Sequence, residues 1–245
     1  MHISLTHSEH RPWPLPQRRW HMRQSWQDLL FAHWPIAAKA LAHLVPDGVK
    51  IQEHDGTSWV GVVPFRMRGV MFRPLPDLPW VSAFAELNLR LYVEVGGKPG
   101  VWFLSLDAAN PLAVWAARRR FHLPYFLADM QVREVGERLH YRSVRRAPQR
   151  VAFKGNYAPV GPVIAARPGS LEHFLTERYC LYTSAPSGMI LRGDIHHLAW
   201  PLQRASVELE ENSIAAPHSL ALDGAPPVVH FAKRIDAIMW PLEAA

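Results

Sequence analysis

The stretch ELNLRLYVE, residues 86–94, alternates almost without a break. Leu87, Leu89, Leu91 and Val93 fall on one side of an extended chain, and Glu86, Asn88, Arg90, Tyr92 and Glu94 on the other, which is the period of two that a β-strand imposes. One face is therefore core. The other is either a solvated surface, as antiparallel sheets commonly keep, or the wall of a polar cavity, and the strand alone leaves both readings open. Outward from this strand the same language repeats. Gly96-Gly97 leads into GVWFLSL (100–106), and upstream VKIQEH (49–54), Asp55-Gly56 and SWVGVVPF (58–65) read as strand, turn and strand. Further strand-like runs fall near 179–183, 188–195, 199–209, 227–231 and 234–240.

Three helices interrupt them. PIAAKALAHLVP (35–46) stops before Pro46; a second helix opens at Asn110, a capping residue, with Pro111 at the first helical position, and runs to about Arg120; a third begins at Ser170 in SLEHFLTERY. The pattern predicts an α+β fold, mainly antiparallel β with a few peripheral helices. Residues 1–25, rich in His, Pro and Arg without periodicity, read as an irregular arm, and 26–245 as a single domain.

With 49% hydrophobic residues over 245 positions, the chain can bury a sizeable core. Its net charge of +6 comes almost wholly from arginine, since only Lys39, Lys50, Lys98, Lys154 and Lys233 are lysines. Such a balance permits polyanion binding without requiring it. Cys180 is the sole cysteine, so no internal disulfide or cysteine metal cluster can form, which fits a reducing compartment. The opening MHISLTHSEH lacks the pattern of a secretory signal and no run approaches 18 apolar residues, so a cytoplasmic protein with no membrane partner is expected. Among 14 histidines, His196 and His197 are adjacent and would point to opposite faces of a strand, while His33, His173 and His230 are isolated, so neither a metal site nor a cofactor is expected. A homo-oligomer is compatible with the chain.

The second helix carries Leu112, Trp115 and Arg119 on one face and Val114, Arg118 and Phe121 on another. Apolar residues thus surround most of it, which predicts that at least one arginine turns inward. A buried guanidinium needs a carboxylate, and Glu86 is the candidate.

From about Trp26 to Leu242 the chain resembles the YqjF-like family of uncharacterised bacterial proteins, through LLFAHWP, WVGVVPFRMRGV, AFAELNLRLYV, FLSLDA, AVWAARRRFHLPY, SLEHFLTERYCLYT, IHH and HFAKRIDAIMWPL. That family is in turn remotely similar to acetoacetate decarboxylases. The resemblance implies a β-cone or barrel of acetoacetate decarboxylase-like architecture with an enclosed pocket. The decarboxylases carry Gly-Arg-Glu, two variable residues, then Gly-Phe-Pro-Lys-Lys, in which the first lysine forms a Schiff base and the second lowers its pKa. Laid on that pattern without gaps, ARRRFHLPYF (117–126) keeps Arg118 and Pro124. Tyr125 and Phe126 replace both lysines, Arg119 stands for the glutamate and His122 for a glycine.

A Schiff base requires a primary amine, so decarboxylation by that route is not expected; Lys154 is the one lysine in an apolar strand-like run that would replace it. The resemblance also implies that Glu86 survives as a pocket carboxylate. Glu86, Asn88, Arg90, Arg118, Arg119, His122 and Tyr125 are then the candidates to line a pocket for a small anionic or polar organic ligand, with Glu86 held ionised by Arg90 or Arg119. Two alternatives stand beside this. One is a lyase working through Glu86, a histidine and a tyrosine; the other is a nucleic-acid or polyanion binder using the arginine-rich hairpin 132–150 with Tyr141 as a stacking surface.

Overall fold

The computed structural model describes residues 2–75, 82–146 and 149–245. After an arm containing one 3-10 turn (Ile3–Thr6), the elements in chain order are β1 (Met22–Ile36), α1 (Ala38–Leu41), β2 (Lys50–Ile51), β3 (Ser58–Phe72), β4 (Phe84–Val95), β5 (Lys98–Ala108), α2 (Pro111–Phe121), β6 (Tyr125–Val135), β7 (Arg138–Arg145), β8 (Val151–Ile164), α3 (Leu171–Thr176), β9 (Cys180–Ser184), β10 (Ile190–His196), β11 (Leu202–Asn212), β12 (Val228–Met239) and β13 (Glu243–Ala244). Strand outweighs helix, as the alternation predicts.

All thirteen strands join one sheet in the order β13-β10-β9-β5-β6-β7-β8-β11-β12-β1-β3-β4-β2. Because β4 also pairs with β5, the sheet curls into a ring, and β9 and β10 run across from β5 to β12. The pairings are antiparallel except for β5 with β6 and with β9. The β5–β6 connection is the one that carries α2, since a parallel neighbour needs a crossover.

The face question posed by β4 is answered by burial. Leu87, Leu89, Leu91 and Val93 pack into the largest core with Tyr141, Phe153 and Tyr157. The opposite face is also buried, with Glu86, Asn88 and Arg90 at 3%, 6% and 9% exposure. It is a cavity wall. The neighbouring strands repeat this division, Val60 and Val62 of β3 facing that core while Val63, Phe65 and Met67 face the other way.

Burial on both faces also explains why β1 is hard to read from sequence. MRQSWQDLLFAHWPI has apolar residues on both sides, and its register against β3 shifts between Gln27 and Ala32. Asp28 sits in that irregularity with φ of 54°, a left-handed backbone, its carboxylate held by Arg66 at 2.8 Å and Lys233 at 2.7 Å. The chain thereby sends Leu29 and Phe31 to the cavity side and Leu30, Ala32 and Trp34 to the core. Elsewhere β12 is one continuous strand where the sequence suggests two, and VKIQEH contributes only Lys50–Ile51. The run TERYCLYT becomes strand only at Cys180, so Glu177 and Arg178 lie in the turn after α3 and make no cross-strand ion pair.

The arm is tied down. Arg11 is buried against β10, donating to the carbonyl of Ile195 and lying 3.6 Å from Asp194. No helix among the described residues is long and apolar enough to cross a membrane.

Candidate functional site

A cavity of about 390 Å³ lies between the inner face of β1, β3, β4 and β5 and the elements that cross it, α2, β10 and the turn after α3. Most of its wall is apolar, with Phe31, Phe65, Phe84, Phe103, Trp26 and Trp200 prominent. Polar groups interrupt it at Gln24, Thr176, His197 and Asp194, the last paired with Arg11 and Arg192, and in two further sets.

The first set is Glu86 and Tyr125. The Tyr125 hydroxyl, on the first residue of β6, donates to Glu86 Oε2 at 2.9 Å, and the Glu86 main-chain carbonyl accepts from Tyr141 at 2.6 Å. Burial pushes the Glu86 carboxyl up to about 8, the Tyr125 hydrogen bond opposing this only in part, and the Tyr125 phenol lies well above its usual range for the same reason. No ion pair among the described residues involves Glu86. The expectation that Arg90 or Arg119 holds it ionised is thus corrected: at neutral pH this is a protonated acid facing an apolar chamber. Asn88, one alternation along β4, has its Oδ1 buried without a hydrogen-bond partner.

The second set is cationic. Arg90 donates from Nε to Tyr92 at 3.1 Å and from one Nη to the carbonyl of Leu175 at 3.0 Å; Arg178 donates from Nε to the carbonyl of Phe174 at 2.7 Å and from one Nη to Gln52. Neither guanidinium forms an ion pair among the described residues, and each keeps one Nη without a protein acceptor. Burial lowers Arg178 to about 10, so it remains charged at neutral pH. Tyr92 also meets His33 Nε2 at 2.6 Å, and burial holds His33 well below its usual range, so that imidazole is neutral. Gly61 backs the cluster: a Cβ there would stand 3.0 Å from the Tyr92 hydroxyl and 3.2 Å from Arg90 Cγ.

The DUF2071 family, described as an uncharacterized conserved protein, matches residues 23–236. The chain belongs to that family. The uncharacterized protein YqjF of Bacillus subtilis is 42% identical over 228 residues, covering 93% of this chain and 94% of its own. Among solved structures, acetoacetate decarboxylase from Legionella pneumophila is similar in fold at a TM-score of 0.62 and 14% identity, over 97% of this chain and 93% of that one. The enduracididine biosynthesis enzyme MppR, solved in complex with pyruvate, gives 0.63 and 10% over 96% and 93%. The fold of this DUF2071 protein is therefore acetoacetate decarboxylase-like.

Of the residues singled out from sequence, the fold brings Glu86, Asn88, Arg90 and Tyr125 to the cavity. It does not bring Arg118, Arg119 or His122. The residues of α2 that line the cavity are Ala113, Ala116 and Ala117 together with Leu112, Trp115 and Phe121, while Arg118 and Arg119 are exposed at the helix end, where the dipole favours cations. Arg118 reaches back to donate to the Tyr125 carbonyl at 2.5 Å. His122 is the C-cap, with φ of 51°. A left-handed residue with a Cβ is strained there, as a glycine would not be. We expect His122→Gly to stabilise the protein by about 1 kcal/mol, read by urea denaturation; an unchanged midpoint would show that no strain is held there.

Lys154 is exposed and paired with Glu210 on the outside of the sheet, so it does not replace the lost amine. Cys180 is buried and its thiol pushed up to about 11 by burial, which suits a core residue. No group of three metal-ligating side chains occurs among the described residues. In the hairpin of β6 and β7, Arg138 pairs with Glu208, Arg142 with Asp129 and Arg145 with Asp107. Tyr141 is 1% exposed and turned inward, so it offers no stacking surface; residues 147–148 of that stretch lie outside the described residues. Arg178 and Trp200 are pocket residues that sequence reading missed. The available signal was a charge inside the apolar run FLTERYC.

Proposed function

We propose that this protein encloses a small organic anion, its charge held by Arg90 and Arg178 and its body by the aromatic wall. What supports it is the pair of buried guanidinium groups with no carboxylate partner among the described residues. An uncompensated buried charge costs several kcal/mol, and a ligand carboxylate or phosphate seated on the two free Nη groups supplies the missing counter-charge. The fold neighbour MppR was solved in complex with pyruvate, a small carboxylate, which is a parallel in ligand chemistry. Schiff-base chemistry is absent from the proposal, because no lysine reaches the cavity.

Thermal shift with a series of monocarboxylates and their matched neutral amides tests this. Stabilisation is expected from acids alone, and Arg90→Met should weaken it by about 10- to 100-fold, the range for a charge-assisted hydrogen bond. Arg119→Ala, outside the cavity, should leave it unchanged. Equal binding of acids and amides, or full affinity in Arg90→Met, would reject the reading.

A further inference from the structure

The anion site accounts for only one end of the chamber. Asn88 stands on the same face of β4 as Arg90, one alternation away, and Glu86 stands one alternation further. At the rise of a strand, the Cα atoms of Asn88 and Glu86 lie about 7 and 13 Å from that of Arg90. The rest of the chamber wall is largely apolar and includes several aromatic rings.

The second point has a defined hydrogen-bonding demand. Asn88 Oδ1 can only accept and, inside a residue 6% exposed, has no donor. A buried carbonyl left in that state is costly, and in a native fold it calls for a partner. Glu86 accepts from Tyr125 through Oε2, and its other oxygen has no hydrogen-bond partner among the described residues. Burial keeps the acid protonated at neutral pH, so that oxygen side is able to donate. A hydroxyl is the simplest group that donates to Asn88 while accepting from Glu86. A carbonyl would leave the buried Asn88 Oδ1 unsatisfied, and an ammonium would leave the Glu86 proton without an acceptor.

Size and wall chemistry narrow the body. At the roughly 30 Å³ that a liquid water takes, about 390 Å³ holds about a dozen such groups. Aromatic rings at the wall favour edge and offset contacts with another ring.

We propose that the ligand is a hydroxyaryl carboxylate, its carboxylate on Arg90 and Arg178 and its phenolic hydroxyl bridging Asn88 Oδ1 and Glu86 at the far end. This rests on the anion-binding reading above and adds to it a ring and a remote hydroxyl. The hydroxyl must be distant from the carboxylate, since the two polar points are separated along the strand. A 2-hydroxy isomer, whose hydroxyl lies beside the acid arm, should gain nothing.

Calorimetric titration of the wild-type protein with 3-(4-hydroxyphenyl)propionate, 3-(2-hydroxyphenyl)propionate and 3-phenylpropionate tests this without a variant. The 4-hydroxy acid should bind about tenfold or more tighter than the other two, one satisfied buried hydrogen bond's worth. In Asn88→Leu that preference should fall below about threefold while 3-phenylpropionate binds at least as well as to wild type. Equal affinity of all three acids for the wild type would overturn the hydroxyl assignment and leave the anion site standing. No binding by any of them, or equal binding by the amide of the 4-hydroxy acid, would reject both. Should Asn88→Leu fail to fold, the ranking of the three acids on the wild type still decides.

Discussion

At pH 9 the Glu86→Gln protein should be more stable than the wild type by roughly 5 kcal/mol, while at pH 4 the two should be nearly alike. Burial raises the Glu86 carboxyl from an ordinary 4.5 to about 8, so the folded chain binds this proton more tightly than the unfolded chain does. Between those values the unfolded state has lost the proton and the folded state keeps it. Stability therefore falls as pH rises through that window and levels off above it. Each pH unit of the window contributes about 1.4 kcal/mol, which over the interval gives the stated figure. Glutamine carries no proton to lose, keeps an acceptor for Tyr125 and nearly preserves the shape. Every other titrating group is common to both proteins and cancels in their difference. Chemical denaturation at pH 4, 6, 8 and 9 reads this directly, and parallel curves for the two proteins would show that Glu86 is ionised in the fold after all.

The sign of this effect is opposite to what the sequence suggests, and the reason is geometric. Glu86 and Arg90 are four residues apart, a spacing that makes neighbours on a helix but leaves about 13 Å between Cα atoms on a strand. The alternation of β4 is legible because one face is uniformly leucine and valine. Whether the other face is wet depends on α2 and β10, which arrive from distant sequence. The same holds for the cationic end: Arg178 and Arg90 both lie over the Tyr92 ring because α3 and the turn after it pack back onto β4, where the Leu175 carbonyl accepts from Arg90. For α2, the cap at Asn110 and the start at Pro111 are plain in sequence, and both are observed. Its inward face is not. Ala113, Ala116 and Ala117 line the cavity beside Leu112, Trp115 and Phe121, and an apolarity argument that weighs large residues passes over the alanines. β1 escapes detection for the related reason that both its faces are buried.

Removing the Asp107 carboxylate should cost 3–5 kcal/mol, a large share of the 5–15 kcal/mol typical of a folded domain. Asp107 is 1% exposed and accepts from Arg145 Nε at 2.9 Å and Nη2 at 2.6 Å, with Ser143 at 3.4 Å. In Asp107→Asn the Arg145 guanidinium, 3% exposed and stacked 3.8 Å over Phe126, would keep its charge and lose its counter-charge. A double substitution Asp107→Leu with Arg145→Met should recover most of the loss, because a buried pair replaced by apolar groups is often neutral, whereas half a pair is not. If the double variant is no better than Asp107→Asn, the cost lies in strand geometry and the ion-pair account fails. Asp107 pairs in register with Phe126, the residue after Tyr125, so this closed ion pair fastens the wall that presents the phenol to Glu86. Here the fold supplies Asp107 to the buried guanidinium of Arg145 that supports the wall, and at Arg90 and Arg178, inside the chamber, no carboxylate among the described residues comes within ion-pair distance. That difference, within one protein and at similar burial, is the physical ground for assigning the missing acid to a ligand.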